Sequence, residues 1–155
     1  TIDRLLEQLE INKYALYLHD YGGPVGFRIM SAHPDRLRAL IIQNANAYNE
    51  GLGAKWAGIA QYWADPRAHP EVFDAFVSLA ATEQRHTLGT SHPERYNPDT
   101  WTDEYVHLSK PGQREIQADL LHDYRTNVAS YPVWQAWLRG CRWPLQCSLM
   151  KFPAC

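Results

Sequence analysis

A stretch near the amino terminus, "YLHDYGGPVG" (17–26), constrains the fold more than any other part of the chain. The run before it, "YALYLHD" (14–20), is apolar and aromatic with little polar alternation, which is typical of a short strand buried on both faces. Two glycines follow, and residues 22–33 have the pattern of a helix that starts straight after the turn. So abrupt a passage from strand to helix predicts a strained backbone at the turn residue, Asp20.

The elements on either side of this turn predict an α/β fold. Residues 1–11 place most of their apolar side chains at helical spacing, and residues 37–45, "LRALIIQNA", form a second apolar run. The order helix, strand, helix, strand predicts two parallel strands with a right-handed crossover. We therefore assign residues 1–48 to an α/β core with a short parallel sheet and flanking helices.

The rest of the chain has a different character. Residues 49–139 hold most of the tryptophan, histidine and proline, and their patterns predict a mostly helical cap inserted after the second strand. Residues 140–155 contain all three cysteines and no acidic residue, so we expect an irregular, cysteine-rich tail. An odd number of cysteines without a CxxC pair fits neither a disulfide framework nor a zinc site.

Composition excludes several classes of function. A net charge of −2 gives no basic surface for nucleic acid or anionic lipid. No apolar run reaches the roughly 18 residues needed to cross a bilayer, and no secretory signal opens the chain. We expect a soluble, by default cytoplasmic protein that binds neither nucleic acid nor membrane. No motif predicts a cofactor or a bound metal.

Asp20 is the residue with the clearest chemical potential. A carboxylate at the carboxyl end of a strand faces the amino end of the following helix, which favours the ionised form. Such a carboxylate can attack an electrophilic carbon and form an ester that water later cleaves. The backbone N–H of Tyr21 would then donate to the oxyanion. The alternative is that Asp20 simply caps the helix.

The segments "LHDYGGPVGFR" and "AHPDRLRALIIQNANAY" resemble the α/β-hydrolase superfamily, in particular its aspartate-nucleophile branch of haloalkane dehalogenases and epoxide hydrolases. The turn in that branch typically reads His-Asp-Trp/Tyr-Gly-Gly, which residues 19–23 match. The resemblance implies a partial α/β-hydrolase fold, Asp20 as nucleophile, and a small apolar substrate such as an alkyl halide or an epoxide. Tyr21 stands where dehalogenases carry a halide-binding tryptophan, which leaves an epoxide or another substrate open.

The same resemblance suggests residues that contact the substrate. Epoxide hydrolases use cap tyrosines to protonate the opening ring, which makes Tyr62, Tyr105 and Tyr124 candidates. Asn44, at the carboxyl end of the second strand, is a further candidate. The alternatives are that the tyrosines pack in the cap and that the asparagine belongs to a turn.

The resemblance also exposes gaps. Members of this branch have strands before the nucleophile, and a catalytic acid and histidine after the cap. Some dehalogenases take the acid from the position that Asn44 occupies here. We therefore expect a fragment of a longer protein, and the chain begins with Thr1 rather than methionine. The second functional hypothesis is a catalytically inactive fragment without the acid and histidine, whose exposed sheet edges favour self-association.

Overall fold

A computed structural model describes residues 1–54, 56–140 and 145–148, the last four as backbone only. The elements up to the second strand are α1 (Ile2–Gln8), β1 (Tyr14–His19), α2 (Gly22–Ala32), a 3-10 turn (Pro34–Arg36) and β2 (Leu37–Gln43). After a second 3-10 turn (Asn49–Gly51) come α3 (Trp56–Ala64), α4 (Pro70–Phe76), α5 (Leu79–Thr87), a third 3-10 turn (Pro93–Arg95), α6 (Asp99–Leu108), α7 (Gln113–Asp123), α8 (Arg125–Gly140) and β3 (Leu145–Ser148).

The sheet is parallel throughout, in the order β1–β2–β3. In the register of the first pair, His19 at the end of β1 lies opposite Gln43 at the end of β2. The predicted α/β fold class, with a short parallel sheet and flanking helices, is confirmed. The number of strands differs, because Leu145–Ser148 pairs with β2 within the tail that was expected to be irregular. The rest of the tail beyond Gly140 lies outside the described residues.

The chain divides into two compact units. The first unit contains Thr1–Leu52 and the described residues from Asn127 onward, and the second contains the described part of Gly53–Thr126. Most of α8 therefore belongs with the sheet and not with the helical cap. The reason is that α8 carries large apolar side chains that enter the core of the first unit.

The core of the first unit lies between one face of the sheet and helices α2 and α8. Its buried side chains are Leu18, Phe27, Met30, Leu37, Leu40, Ile42, Ala47, Tyr131 and Trp134. Helix α2 comes very close to β1 because it presents Gly26 to the strand: a Cβ at that position would lie 2.1 Å from a methyl carbon of Leu18. This close contact fixes the direction in which α2 leaves the turn at Asp20.

On the opposite face of the sheet, which we call the open face, the described side chains of β1 are exposed. This corrects the prediction that β1 is buried on both faces. Ala15, Tyr17 and His19 alternate on this face and are all exposed. Tyr17 is 58% exposed and donates a hydrogen bond to the Gln43 side chain on the neighbouring strand. The apolar composition of β1 predicted the strand correctly but not its burial, because burial depends on which other elements cover the sheet.

Polar contacts join α8 to the rest of the first unit. Side-chain hydrogen bonds among the described residues connect α8 with α2 and with the segment after β2; they include Arg28 to Asn127, Asn46 to Tyr131 and Gln135 to the Ala47 carbonyl. Asn127 and Tyr131 are both buried, so these bonds satisfy polar groups that water does not reach.

The second unit is helical and has its own core. Its buried side chains are Ile59, Tyr62, Phe73 and Leu121, with Trp56 and Trp63 packed against them. Residues 70–86 and residues 111–131 each have the sequence pattern of one helix, but both stretches are interrupted in the structure. Ser78 accepts a hydrogen bond from the Ala81 N–H and starts α5 as a new helix, and Tyr124 separates α7 from α8. None of the helices in the described residues is long and apolar enough to cross a membrane.

A three-residue ion-pair cluster joins α5 to α6. One carboxylate oxygen of Glu104 lies 2.7 Å from Arg85 Nη2, and the other lies 2.8 Å from His86 Nε2. Burial by itself would raise the pKa of Glu104, but the hydrogen bonds and charges of Arg85 and His86 outweigh it, and the pKa is lowered. A lowered pKa in the folded state means that this carboxylate stabilises the fold above its unfolded pKa.

Acidification is expected to remove that contribution. As the pH falls from the ordinary glutamate pKa of 4.5 through the lowered value, Glu104 is protonated and the stabilisation is lost. Glu104→Gln is expected to reduce the free energy of unfolding at pH 7 by about 0.5–1 kcal/mol, since the side chain is partly exposed and screened by solvent. Urea unfolding from pH 3 to 7 measures both effects. Glu83→Gln, at an exposed position of α5, is the control, and an equal pH dependence in the two variants would contradict the prediction.

Candidate functional site

Asp20 lies directly between the end of β1 and Tyr21, the residue that precedes α2. Its φ angle is 49°, in the left-handed region. Its carbonyl accepts a hydrogen bond of 2.9 Å from the Gly23 N–H, which closes the turn. For most residues with a side chain, this conformation costs about 1–2 kcal/mol of free energy, whereas aspartate and asparagine tolerate it better. The backbone of the predicted turn is therefore strained at the residue that the sequence singled out.

The Asp20 side chain is exposed. Tyr21, not Asp20, occupies the N-cap position of α2, and that helix has no side-chain cap hydrogen bond. Among the described residues, the structure gives the Asp20 carboxylate no hydrogen bond or ion pair. The capping alternative thus has no hydrogen bond to support it. The amino end of α2, which carries partial positive charge, begins two residues after this carboxylate.

Tyr21 has helical dihedral angles, with φ −61° and ψ −21°. Its backbone N–H follows Asp20 directly in the turn, and its side chain is 42% exposed. The predicted oxyanion donor therefore lies beside the predicted nucleophile, as chain connectivity requires.

Asn44 repeats the geometry of Asp20 on the neighbouring strand. It follows β2 directly, has a φ angle of 50° and is half-buried. Because His19 and Gln43 are register partners, Asp20 and Asn44 leave the same edge of the sheet side by side. Two adjacent strands thus end in left-handed residues that carry a carboxylate and a carboxamide.

Asn46, two residues later, anchors the segment after β2. Its Oδ1 accepts a hydrogen bond of 3.1 Å from the Tyr48 N–H, and its Nδ2 donates one of 3.1 Å to the Tyr131 hydroxyl. Gly51 packs so closely that a Cβ there would lie 2.2 Å from Asn46 Oδ1. These contacts fix the exit of β2 and hence the position of Asn44. No sequence signal separates this anchoring role from a turn-forming "NAN".

Two of the three candidate tyrosines lie in the aromatic core of the second unit. Tyr62 is 5% exposed and stacks on Phe73 with ring centroids 6.0 Å apart. Burial raises its pKa; Asp119 raises it further and Arg114 opposes the change. Tyr124 is half-buried and stacks on Trp63, at 6.2 Å between centroids. These contacts agree with the alternative that Tyr62 and Tyr124 pack in the interior of the cap.

Tyr105 is half-buried on α6, and its carbonyl accepts a hydrogen bond from the Ser109 hydroxyl. A shallow concavity elsewhere in the second unit contains none of the predicted site residues; it is lined by Ala75, Ser78, Ala80, Ala81, Glu83, Gln84 and Thr87. The structure therefore does not bring Tyr105 into that concavity.

One cluster in the first unit has the composition of a metal site. Ligand atoms of Asp3, Glu7 and His33 lie within 4.8 Å of one another. Arg36, however, lies 3.6 Å from Asp3 and 3.5 Å from Glu7, and His33 lies 3.0 Å from Asp3. A guanidinium already balances the two carboxylates, so we interpret the cluster as ion pairs that attach α1. Burial raises the pKa of the adjacent Tyr14 hydroxyl, an effect that Arg36 opposes.

The histidines of the described residues have neighbours other than Asp20. His19 lies on the open face of the sheet. The others contact a carboxylate or, in the last case, an aromatic ring: His33 with Asp3, His69 with Glu71, His86 with Glu104, His92 with Glu94, His107 with Asp103 and His122 with Tyr62. The geometry of the described residues thus assigns none of them to activate water at Asp20.

Parallel strands, flanking helices and a strained carboxylate turn define a partial α/β fold, and two known proteins are similar to it. The crystal structure of wild-type Cfl2 from Burkholderia cenocepacia superposes with a TM-score of 0.63 at 16% sequence identity, covering 97% of this chain and 62% of Cfl2. At that identity the similarity shows the fold alone.

The second similar protein is a curated one, described as the uncharacterized hydrolase YNR064C of Saccharomyces cerevisiae. It is 33% identical over 150 residues, which cover 94% of this chain and 52% of the yeast protein. The chain therefore spans about half the length of this relative. No protein-family model matches the chain.

Proposed function

We propose that the chain carries the nucleophile of a hydrolase that acts through an aspartyl ester on a small apolar substrate, an alkyl halide or an epoxide. The observation that carries this proposal is the left-handed conformation of Asp20 between β1 and α2. Strain of this kind persists where the surrounding structure imposes it, and it is concentrated at functional sites. Similarity to a yeast hydrolase supports the general reaction class.

In the first step, a carboxylate oxygen of Asp20 bonds to the electrophilic carbon of the substrate. With an alkyl halide, the carbon–halogen bond breaks and its electron pair leaves with the halide. With an epoxide, a carbon–oxygen bond breaks and the ring oxygen takes a proton from an acid or from water. The Asp20 ester is the product of either reaction.

In the second step, water attacks the ester carbonyl, the alcohol leaves and the carboxylate is restored. The intermediate carries an oxyanion, to which the Tyr21 N–H is proposed to donate. A general base must accept the proton of the attacking water. Since the described histidines have other neighbours, we expect this step to be slow in the 155-residue chain and the ester to accumulate.

Accumulation of the ester makes the proposal testable by mass. Incubation with 1-bromobutane or 1,2-epoxybutane is expected to add the mass of one butyl or hydroxybutyl group, and peptide mapping is expected to locate it at Asp20. Asp20→Asn is expected to abolish the adduct while keeping the fold, because asparagine tolerates the same left-handed conformation. Circular dichroism checks that fold. An adduct that persists in Asp20→Asn, or appears equally at the exposed Asp35, would contradict the proposal.

The second candidate is a catalytically inactive chain that lacks the acid and histidine of a hydrolase triad. The chain matches only 52% of the yeast relative, and this partial coverage favours the inactive candidate. The same experiment separates the two: a folded chain that forms no adduct with either reagent supports the inactive alternative.

A further inference from the structure

The segment after β2 packs directly against the turn that contains Asp20. A Cβ added to Gly23 would lie 2.5 Å from the Cβ of Ala45 and 3.6 Å from its Cα. Alanine has no longer side chain that could rotate away, so the two stretches of backbone are in close contact at this point. Gly23 is also the residue whose N–H donates to the Asp20 carbonyl and closes the turn. A displacement of Ala45 would therefore displace the turn at Asp20.

Helix α8 fixes the residues that follow Ala45. The Tyr131 hydroxyl accepts a hydrogen bond of 3.1 Å from Asn46 Nδ2, and Gln135 Nε2 donates one of 2.8 Å to the Ala47 carbonyl. Tyr131 is fully buried and Ala47 is 5% exposed. Because a buried hydroxyl or carbonyl without a partner is costly, these bonds resist a shift of the segment.

The same helix also contacts α2, which begins at the turn. Arg28 of α2 donates a hydrogen bond to Asn127 of α8. Its guanidinium lies 5.4 Å from the centroid of the Trp134 ring, which in turn packs against Phe27. Helix α8 thus contacts both the helix that leaves the turn at Asp20 and the segment that packs against that turn. All of these contacts lie within the first unit.

We propose that Tyr131 and Gln135 are positioning residues for Asp20. They hold residues 45–47 against Gly23 and thereby fix the turn in which the carboxylate lies, without contacting the substrate themselves. Their role in ester formation rests on the proposed function, whereas the restraint on the turn does not. A misplacement of about 1 Å in a reacting group can lower a rate by about 100-fold, so even a partial release of this segment is expected to be measurable.

Tyr131→Phe removes the hydroxyl and keeps the buried ring, and Gln135→Met keeps the length of the side chain and removes the donor. Each variant is expected to lower the limiting rate of butyl ester formation at Asp20 about tenfold at saturating 1-bromobutane. The half-saturating concentration is expected to stay unchanged, because neither residue contacts the reagent. The matched control is Tyr14→Phe: the Tyr14 ring packs against the same core, and its hydroxyl has no hydrogen-bond partner among the described residues.

Hydrogen exchange of the Gly23 amide supplies a readout that does not depend on the chemistry. Tyr131→Phe and Gln135→Met are each expected to speed this exchange about fivefold, and Tyr14→Phe is expected to leave it unchanged. If the wild-type chain forms no ester, the proposed function fails, and faster exchange in the two variants still supports the restraint of the turn by α8. Gly23 exchange equal to that of the wild type in both variants would overturn the proposal. So would ester formation in both variants as fast as in Tyr14→Phe.

Discussion

Replacing Trp134 by alanine is expected to lower the free energy of unfolding by about 3–5 kcal/mol. The side chain is 2% exposed in the core of the first unit. Its ring lies 5.0 Å from that of Phe27 and 5.7 Å from that of Tyr131, measured between centroids. The Arg28 guanidinium lies 5.4 Å from the ring centroid and adds a cation–π contact. Alanine removes all of these contacts and leaves a cavity between α2 and α8.

Such a loss is a large share of the total stability of a domain, which is about 5–15 kcal/mol. Val133→Ala is the matched control, because Val133 is adjacent on α8 and 62% exposed. Its effect is expected to stay within about 0.5 kcal/mol. Urea unfolding followed by circular dichroism gives the comparison, and hydrogen exchange in β1 and β2 reports on the first unit alone. Equal stability of the two variants would show that the contacts of Trp134 contribute little.

The sequence was sufficient to predict the β1–α2–β2 unit because the signals there are local. An apolar run, a pair of glycines and a Pro34 that ends the helix lie within 30 residues and point to one arrangement. The positive φ of Asp20 follows from the same signals, since a strand that turns straight into a helix requires it. Local patterns of this kind predict structure without reference to contacts with distant parts of the chain.

Burial of β1 on both faces was predicted incorrectly because burial is not local. The apolar pattern of the strand shows that its side chains favour burial. Whether Tyr17 is in fact exposed depends on which elements cover the sheet. The helix boundaries show the same limit. Ser78 interrupts a continuous apolar pattern by capping α5, whereas Pro132 lies inside α8 without ending it, since the packing of that helix holds it together.

The candidate site was predictable only in part for a related reason. Asn44 was chosen for its place at the end of a strand, and its left-handed backbone next to Asp20 emerges only from the strand register. Tyr62 and Tyr124 were chosen by resemblance, and their stacking on Phe73 and Trp63 depends on contacts distant in sequence. Residue type and spacing do not distinguish an aromatic core from a substrate-binding wall.

Gly26→Ala is expected to destabilise the first unit by about 1–3 kcal/mol, the usual cost of inserting a methyl group into a packed core. The added Cβ would lie 2.1 Å and 3.0 Å from the two methyl carbons of Leu18 and 3.1 Å from its Cγ. Leu18 is 3% exposed and cannot easily rotate away, so α2 must move off β1. Helix propensity favours alanine over glycine by about 1 kcal/mol and offsets only part of this cost.

Gly22→Ala separates the steric effect from helix propensity. A Cβ at this position, in the first turn of the same helix, has no heavy atom within 4 Å. We expect this variant to be neutral or up to about 1 kcal/mol more stable. Because α2 leaves the turn directly after Asp20, displacement of the helix in Gly26→Ala is also expected to slow formation of the proposed ester, whereas Gly22→Ala leaves it unchanged. Thermal unfolding and the butyl adduct assay measure the two effects, and a Gly26→Ala variant as stable as Gly22→Ala would mean that the strand and helix adjust without strain.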